Sequence, residues 1–489
     1  MPLALKAMLF QRKSVVVFLI LFLHLTICGY LTFNHAMWRD ELQLWLVASE
    51  SDSFSALIAN KEYEVRPYMW FLICWVLSRF TKNPEILKVF NFGVSIALAS
   101  LLLYGFRKNM GLRIGFLFGF LTLFGYSAIS QEYLLGTLIF LFSVFILQKG
   151  SKPIFVFITA GALANINLMF AISSIGIAGI PTIALLTHGN GRDTRKGTTL
   201  GIAIYSSLFL FSVVSMWPPK DFSFRSTSLS LDTLAVKRMF AALSDALFPF
   251  IARNSTTGIF GTVIVYSLSA LSLCAVLALI SSAFKKSIAL GVSSATAMSL
   301  LIVWTGIGYA TYWWHFGILF VAYFGFSLAS LPNWESALKV QKISYLLTSL
   351  ILVSQSVALF SGPKLGIFPL EKYSMARDTS VFIRELCQSE CTILTDNEVT
   401  GTSISAYLDG RDIFRANRGN FGSFAVWDPA IGIEVTWDDL LRYSTQFSNP
   451  VFVTSVLTDP PKGITVLAEF YGAVWSDEDF MVSRPTTKD

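Results

Sequence analysis

The chain has 489 residues, of which 54% are hydrophobic, 15% are aromatic and only 14% are charged. This composition excludes an ordinary soluble domain and is typical of a membrane protein with several spans. The formal net charge of +6 does not indicate nucleic-acid binding, because the Lys and Arg residues fall mostly in short loops between apolar runs.

The N-terminal residues predict a first span with a cytoplasmic N-terminus. Ser14–Phe33 is an apolar run long enough to cross a bilayer, and no small-residue cleavage site follows it. Lys6, Arg12 and Lys13 precede the run, and positive residues accumulate on the cytoplasmic side of spans. The polar segment 34–67 is therefore expected outside.

The next apolar run, 67–80, is too short to cross and is predicted to be an interfacial or re-entrant helix. With this run outside, the cations Arg107, Lys108 and Arg113 fall inside, as the positive-inside rule requires. The later inside loops are also basic, which supports this topology. The further spans are predicted at 87–106, 114–129, 132–148, 153–166, 168–187, 197–215, 257–281, 287–309, 314–331 and 343–361.

A second external segment, 216–256, is too polar to span and opens with Pro218-Pro219. Its stretch Leu231–Leu247 has the spacing of an amphipathic helix, predicted to lie on the membrane surface. The residues available to its apolar face are Leu234, Met239, Leu243 and Leu247.

From residue 362 the composition becomes polar, and short patterns predict alternating helices and strands. This alternation indicates a small α/β domain with a partly parallel sheet. The predicted helices are 376–386 and 436–447, and the predicted strands are 392–396, 451–456 and 480–483. The chain is thus expected to form a polytopic α-helical membrane domain of about 11 spans, residues 1–361, with external loops 34–86 and 216–256, followed by a soluble external α/β domain, residues 362–489.

Two of the five cysteines, Cys387 and Cys391, lie where a predicted helix meets the strand 392–396. In the predicted topology both thiols face an oxidising compartment, where disulfides persist. A turn of the chain brings Cα atoms at this spacing within bonding reach, so a local disulfide is predicted. The alternative is two partly buried free thiols.

The polar residues near the external ends of the spans are the candidates for a functional site. Asp40-Glu41 lies between Trp38 and Trp45, and carboxylates at the mouth of a membrane protein are costly unless hydrated, paired or functional. In the structural interpretation the acidic pair begins an amphipathic helix between two interfacial tryptophans. Glu132 can likewise begin a helix, Arg66 can extend to the interface and His315 can belong to an aromatic belt.

Taken together, these residues form a pattern that favours a site for an anionic substrate. All are predicted on one side of the membrane, where a carboxylate can take a proton while cations hold a phosphate. The residues in the pattern are Asp40, Glu41, Glu64, Arg66, Glu132, Asn167 and His315.

The sequence has no Walker loop and no Gly-rich fingerprint after a strand, which argues against a soluble nucleotide-sugar donor and against ATP-driven transport. No His/Cys metal motif is present. A divalent cation is the one cofactor that the sequence does not exclude, because clustered carboxylates can bind it. Its ligands would be Asp40 and Glu132.

These residues resemble the motifs of the GT-C membrane glycosyltransferases. That superfamily includes oligosaccharyltransferase catalytic subunits, protein O-mannosyltransferases and bacterial lipid A aminoarabinose transferases. Asp40-Glu41 looks like the acidic motif of the family's first external loop. Glu64-Val65-Arg66-Pro67 looks like the family's Glu-x-His-Pro, with Arg66 in the His position, a departure that weakens the expectation of a metal ligand there.

Two further segments extend the resemblance along the chain. Ser130-Gln131-Glu132-Tyr133 looks like the family's second acidic segment. Trp313-Trp314-His315-Phe316 looks like the late segment that offers a cation to the phosphate, although His is a weaker phosphate partner than Arg.

The resemblance implies a membrane glycosyltransferase that moves a sugar from a polyprenyl-phosphate carrier to an acceptor at the outer face, with inversion at the sugar carbon. The acceptor is a lipid, a glycan or a protein. Asp40 is the implied base, supported by Glu41 and Glu132. The residues implied at the substrate are Glu64, Arg66, His315, Lys220 and Arg225. The implied location is a bacterial inner membrane, with the C-terminal domain in the periplasm.

Two other functions remain open from the sequence. A transporter or flippase of lipid-linked sugars would carry charges along a path through the bilayer, whereas the charges here cluster at one surface. An inactive scaffold of GT-C type would keep the topology and use its C-terminal domain to bind a partner.

Overall fold

The computed structural model describes residues 3–188, 192–223, 232–249, 258–308, 312–360, 372–388, 390–455 and 459–486. The chain forms two compact units, and both are assembled from separate stretches of sequence. Unit 1 comprises Met1–Phe33, Asn91–Ser215 and Thr227–Ser361. Unit 2 comprises Asn34–Phe90, Met216–Ser226 and Gly362–Asp489.

The described residues of unit 1 form helices joined by turns and short loops, with no strand. Helix α5, Ile86–Ser100, carries the chain into it from unit 2. The other helices of unit 1 are α1 Leu3–Asn34, α6 Met110–Leu117, α7 Glu132–Gln148, α8 Pro153–Ala164, α9 Leu168–His188, α10 Arg192–Ser215, α11 Thr233–Leu247, α12 Gly258–Lys286, α13 Ile288–Ile307, α14 Trp313–Ser330 and α15 Lys339–Ala358.

Seven helical stretches within the described residues are long and apolar enough to cross a bilayer. Two shorter apolar helices, α7 and α8, belong to unit 1. The chain is therefore an integral membrane protein, as the composition predicts. The seven stretches are Ser14–Asn34, Ile86–Gly105, Leu168–Thr187, Arg195–Ser215, Gly261–Lys286, Ile288–Ile307 and Trp313–Ser330.

The predicted span 114–129 is wrong as a single α-helix. Helix α6 ends at Leu117, and a separate π-helical turn follows at Leu121–Tyr126. The turn brings the backbone against an aromatic ring, because a Cβ built on Gly125 would lie 2.5 Å from the Trp313 ring. Close approach of this kind requires glycine, and glycine also weakens a continuous helix.

Arg113 was predicted in a cytoplasmic loop, but the structure places its side chain inside unit 1. It is buried in α6, and its Nη1 donates to the carbonyl oxygens of Phe106 at 2.7 Å and Leu103 at 3.3 Å. Leu103 lies within the helical turn Leu101–Gly105 and Phe106 directly follows it, where backbone acceptors lose their partners in the helix. The Arg113 side chain therefore supplies hydrogen-bond donors to backbone carbonyls at the end of this helical turn.

Helix α11 confirms the amphipathic pattern but changes its apolar face. Leu243 and Leu247 are buried, whereas Leu234 is 51% exposed. The helix packs against α13 and α14 within unit 1, and a Cβ on Gly306 of α13 would meet Met239 at 2.5 Å.

Small residues set the spacing between helices in unit 1, as they do where membrane helices approach closely. A Cβ on Gly176 in α9 would lie 2.7 Å from the Cβ of Ala297 and 3.0 Å from the Ser293 carbonyl oxygen, both on α13. We expect Gly176→Ala to force these helices apart and to destabilise the protein by about 1–3 kcal/mol.

The matched control for that prediction is Gly93→Ala, because a Cβ on Gly93 of α5 would meet nothing within 4 Å. Thermal denaturation in detergent should show a lower midpoint for Gly176→Ala and an equal or higher midpoint for Gly93→Ala, since alanine favours helix. Equal midpoints for the two variants would contradict the close packing of α9 and α13.

Unit 2 combines the segment after α1 with the C-terminal sheet. The first segment provides α2 Arg39–Ser49, α3 Phe54–Asn60 and α4 Tyr68–Ser78. Helix α4 has 11 residues, which gives a length of about 16 Å. That is too short for a bilayer core of roughly 30 Å, in agreement with a run that does not cross.

The C-terminal part of unit 2 contains three helices and one mixed sheet. The helices are α16 Ala376–Cys387, α17 Glu398–Tyr407 and α18 Trp437–Ser444. The strands are β1 Thr392–Thr395, β2 Ile413–Arg415, β3 Asn420–Gly422, β4 Pro450–Ser455, β5 Ile464–Phe470 and β6 Phe480–Pro485. Their order in the sheet is β3-β2-β1-β4-β6-β5.

Strand β1 lies at the centre and pairs in parallel with β2 and β4, whereas β3, β5 and β6 pair antiparallel. Its alternating residues point to opposite faces. Ile393 packs with Ile383 of α16 and Ile404 of α17 on one face. Leu394 packs with Leu440 of α18 on the other. The predicted α/β domain with a partly parallel sheet is therefore confirmed as an architecture with helices on both faces.

The predicted disulfide is also confirmed. Cys387, at the end of α16, is bonded to Cys391, with the two Cα atoms 5.2 Å apart. Gln388 adopts a left-handed backbone conformation between them, with φ of 42°, and this reverses the chain so that the two thiols meet.

Candidate functional site

Helix α2 positions the acidic pair and gives its two carboxylates different surroundings. Glu41 is fully buried, and its Oε2 accepts from the His35 Nε2 at 2.7 Å and from the Trp38 backbone N–H at 3.3 Å. The second contact is half of a capping box, because a side chain of the first turn reaches back to the residue before the helix. Glu41 thus fixes the start of α2.

Asp40, one residue earlier, keeps 29% of its side chain exposed. Burial raises the pKa of the Asp40 carboxyl above its ordinary value, while the positive charges of Arg66 and Arg39 act in the opposite direction. The negative charges of Glu64 and Glu41 add to the rise. A carboxylate with a raised pKa beside two guanidinium groups has the properties of a general base next to an anion site.

Glu64 lies in the turn between α3 and α4, and its side chain is held by two donors. Its Oε1 accepts from the Gln43 Nε2 at 2.8 Å and from the Trp427 Nε1 at 2.9 Å. Lys61 closes the same turn by donating its Nζ to the Glu64 carbonyl oxygen at 3.2 Å. The charges of Glu64 and Arg66 both act on the Asp40 carboxyl.

Arg39 is held by the last part of the chain. Its guanidinium forms an ion pair with Asp477, and its backbone N–H donates to the Glu478 Oε1 at 3.3 Å. Glu478 is buried and also accepts from the Ser403 hydroxyl at 3.2 Å. Burial raises the pKa of the Glu478 carboxyl to about 7. Trp38 stacks on Trp475 at 5.4 Å between ring centroids, so the start of α2 is fixed on both sides.

The two basic residues predicted in the second external segment have different outcomes. Lys220 is exposed, and the neighbouring Asp221 accepts from the Tyr63 hydroxyl at 2.9 Å. Arg225 lies outside the described residues. Residues 216–223 of this segment contact the C-terminal domain, because the Ser223 N–H donates to the Trp427 carbonyl oxygen at 2.9 Å.

Glu132 and His315 both belong to unit 1. Glu132 is buried in the first turn of α7, where a negative charge is favourable. The ring of the next residue, Tyr133, lies 6.3 Å from the ring of His315. Tyr126 stacks on Tyr133 at 5.3 Å and donates its hydroxyl to the Trp314 carbonyl oxygen at 2.8 Å. These contacts make the two motifs neighbours within an aromatic cluster.

The described residues do not fit a resident metal ion. They contain no group of three or more His, Cys, Asp or Glu side chains able to share a cation. Glu41 and Glu64 use oxygens for protein donors, and two guanidinium groups act on Asp40. Positive neighbours oppose cation binding and favour an anion.

A second charged network lies in the C-terminal domain and was not found from the sequence. Glu398, at the start of α17, is fully buried and pairs with Arg415 and Arg418. It also accepts from the Asn417 Nδ2 at 2.9 Å and from the Val426 backbone N–H at 2.9 Å. The network fixes the segment that carries Trp427.

Comparisons with known proteins give few matches. No family model and no curated protein matches the sequence. Structure comparison matches 96% of this chain to a cryo-EM structure of the arabinofuranosyltransferase AftD from Mycobacteria, with 14% identity, and to a variant of that protein, with 15% identity.

The chain spans about two fifths of the AftD structures, 40% and 42% of their lengths, and the TM-score is 0.36 in both cases. AftD is by name a glycosyltransferase, the broad class that the sequence resemblance predicts for this chain. A TM-score of 0.36 is too low for an activity to be transferred from the fold alone.

Proposed function

We propose that this chain is a membrane glycosyltransferase that transfers a sugar from a polyprenyl-phosphate donor to an acceptor at the outer face of a bacterial inner membrane. One observation carries the proposal: the partly exposed Asp40 carboxylate lies beside the positive charges of Arg66 and Arg39 and has a raised pKa. This is the combination that proton removal next to a phosphate requires.

In the proposed reaction, Asp40 takes the proton from an acceptor hydroxyl or amine. The acceptor atom attacks the anomeric carbon, and the bond from that carbon to the phosphate oxygen breaks. The electron pair leaves with the polyprenyl phosphate, whose charge Arg66 and His315 stabilise, with Lys220 and Arg225 as further cations. Attack from the face opposite the phosphate inverts the anomeric carbon. Glu41 holds the start of α2, and Glu132 is the further acidic residue of the proposal.

The distribution of charge favours this function over transport of lipid-linked sugars. In the seven candidate spans, the Asp, Glu, Lys and Arg residues lie within three positions of a span end; they are Lys88, Arg195, Lys196, Lys285 and Lys286. A path for a charged cargo would need residues of opposite charge at mid-membrane depth.

The experiment that tests the proposal uses purified protein and a panel of radiolabelled polyprenyl-phosphate sugars that includes glucose, mannose, aminoarabinose and arabinofuranose. Membrane extract of cells lacking the protein supplies the acceptors. We expect one donor to release polyprenyl phosphate in step with label appearing in a larger product. Release from no donor, with folded protein, would contradict the donor class.

Within the same assay, Arg66→Ala and His315→Ala should weaken use of the donor more than use of the acceptor. Charge-assisted contacts to phosphate are worth roughly 1.5–3 kcal/mol, so the donor KM should rise by about tenfold or more. The control is Lys82→Ala, which removes an exposed cation of the same segment. Donor KM values equal to the control in both variants would exclude the two residues from phosphate binding.

A further inference from the structure

Gln43 connects helix α2 to the C-terminal domain through both atoms of its amide. Its Nε2 donates to the Ala425 carbonyl oxygen at 2.8 Å, and its Oε1 accepts from the Ala425 N–H at 2.9 Å. The same Nε2 donates to Glu64 at 2.8 Å. The Gln43 side chain is buried, so water does not compete for these hydrogen bonds.

Trp427 donates to the same Glu64 oxygen as Gln43 and belongs to a segment that Arg418 holds. Arg418 forms two hydrogen bonds to Asp428, at 2.8 and 2.6 Å, and donates to the Val426 carbonyl oxygen at 2.8 Å. Paired contacts of this kind fix direction as well as distance. The residues on both sides of Trp427 are thus anchored, which sets the direction of its indole N–H toward Glu64.

Glu64 in turn contributes to the charge environment of Asp40. The charged groups that act on Asp40 are Arg66 and Arg39, which favour the carboxylate, and Glu64 and Glu41, which oppose it. Glu41 is fixed by His35 and Trp38 within the first segment. The position of Glu64, in contrast, depends on the Trp427 indole and on the Gln43 amide. Gln43 is itself held by Ala425 of the C-terminal domain.

We propose that Trp427 and Gln43 are positioning residues of the transferase, which act by fixing Glu64 beside Asp40. The C-terminal domain is then a working part of the catalytic centre rather than an appended module. The effect of the two residues on catalysis rests on the proposed function. Their effect on the position of Glu64 rests on the hydrogen bonds alone.

The test compares Trp427→Phe and Gln43→Leu with the control Trp437→Phe. Among the described residues, the Trp437 indole N–H is buried without a hydrogen-bond partner, so its loss removes no such bond. Both tryptophans belong to unit 2, and phenylalanine keeps an aromatic ring in each case.

The structural readout is hydrogen exchange of segment 61–67 in the full chain in detergent. The Glu64 and Arg66 amides donate within this turn, to the carbonyl oxygens of Lys61 and Glu64, both at 2.8 Å. We expect exchange at least threefold faster in Trp427→Phe and Gln43→Leu and unchanged exchange in Trp437→Phe. Unchanged exchange in all three would overturn the inference, whatever the activity.

The catalytic readout is the pH dependence of transfer. Loss of a fixed negative neighbour lowers the pKa of a carboxyl, so Glu64→Gln should move the acid limb of the profile down by roughly 0.5–1 pH unit. The positioning variants should move it in the same direction by a smaller amount, and Trp437→Phe should not move it.

A loss of rate with an unmoved acid limb in Trp427→Phe and Gln43→Leu would show a merely structural role and overturn the inference. If the unaltered chain transfers no sugar from any member of the donor panel, the proposed function fails. The exchange result then still decides whether Trp427 and Gln43 hold the Glu64 segment.

Discussion

Replacing Asp40 with asparagine should lower sugar transfer by roughly two or more orders of magnitude, the range expected when a general base is lost. Asparagine keeps the size of the side chain but cannot take a proton. In the unaltered protein the rate should fall as the pH drops through the raised pKa of Asp40, because only the carboxylate form is active. The measurement is initial rate against pH for the donor that the panel identifies.

Asp52→Asn is the matched control, since Asp52 is an exposed acidic residue of the same segment, 34–86. It should retain a rate close to that of the unaltered chain. Near-normal transfer by Asp40→Asn, with expression equal to the control, would return the acidic pair to the interpretation in which it only begins helix α2.

Replacing Glu398 with alanine should produce the largest loss of stability, about 3–5 kcal/mol, because the buried Arg415 guanidinium loses its counter-charge and Arg418 loses one of its two carboxylate partners. Glu398 is fully buried, and its partners Arg415 and Arg418 have only 10% and 13% of their side chains accessible. For a unit of this size the loss corresponds to a fall of roughly 10 °C in the thermal midpoint.

Lys372→Ala provides the comparison for that experiment. Lys372 pairs with Asp378, but both side chains are exposed, at 51% and 39%. Exposed pairs are worth about 0–1 kcal/mol, so the midpoint should stay within about 2 °C. A Glu398→Ala midpoint equal to that of Lys372→Ala would show that the buried network does not support unit 2.

Local patterns were sufficient to predict much of the C-terminal fold. The helices α16 and α18 and the strands β1, β4 and β6 were predicted close to their observed positions, because their apolar residues recur with helical or strand spacing. Helix α17 was missed. Its sequence, EVTGTSISAY, is rich in β-branched residues, Ser and Gly, which are poor helix formers. Tertiary packing and the Asn397 cap, which accepts from the Thr400 N–H at 2.8 Å, override that preference.

The candidate site was only partly accessible from the sequence. Asp40, Glu64 and Arg66 could be named as candidates because charged residues beside apolar runs are conspicuous, and the charges of Glu64 and Arg66 act on Asp40. Gln43 and Trp427 could not be predicted, since a neutral amide and an indole carry no charge signal. Their connection also depends on a pairing of chain segments that no local pattern encodes, as the Gln43–Ala425 contact shows.

The most direct test of the central claim is mass analysis of envelope glycans and lipids from cells with the protein, without it, and with only the Asp40→Asn variant. The account predicts that one species loses the mass of a single sugar residue when the protein is absent. The unaltered chain should restore this species, and the Asp40→Asn variant should not. Identical spectra in all three cells, or full restoration by Asp40→Asn, would contradict the claim that this chain transfers a sugar with Asp40 as its base.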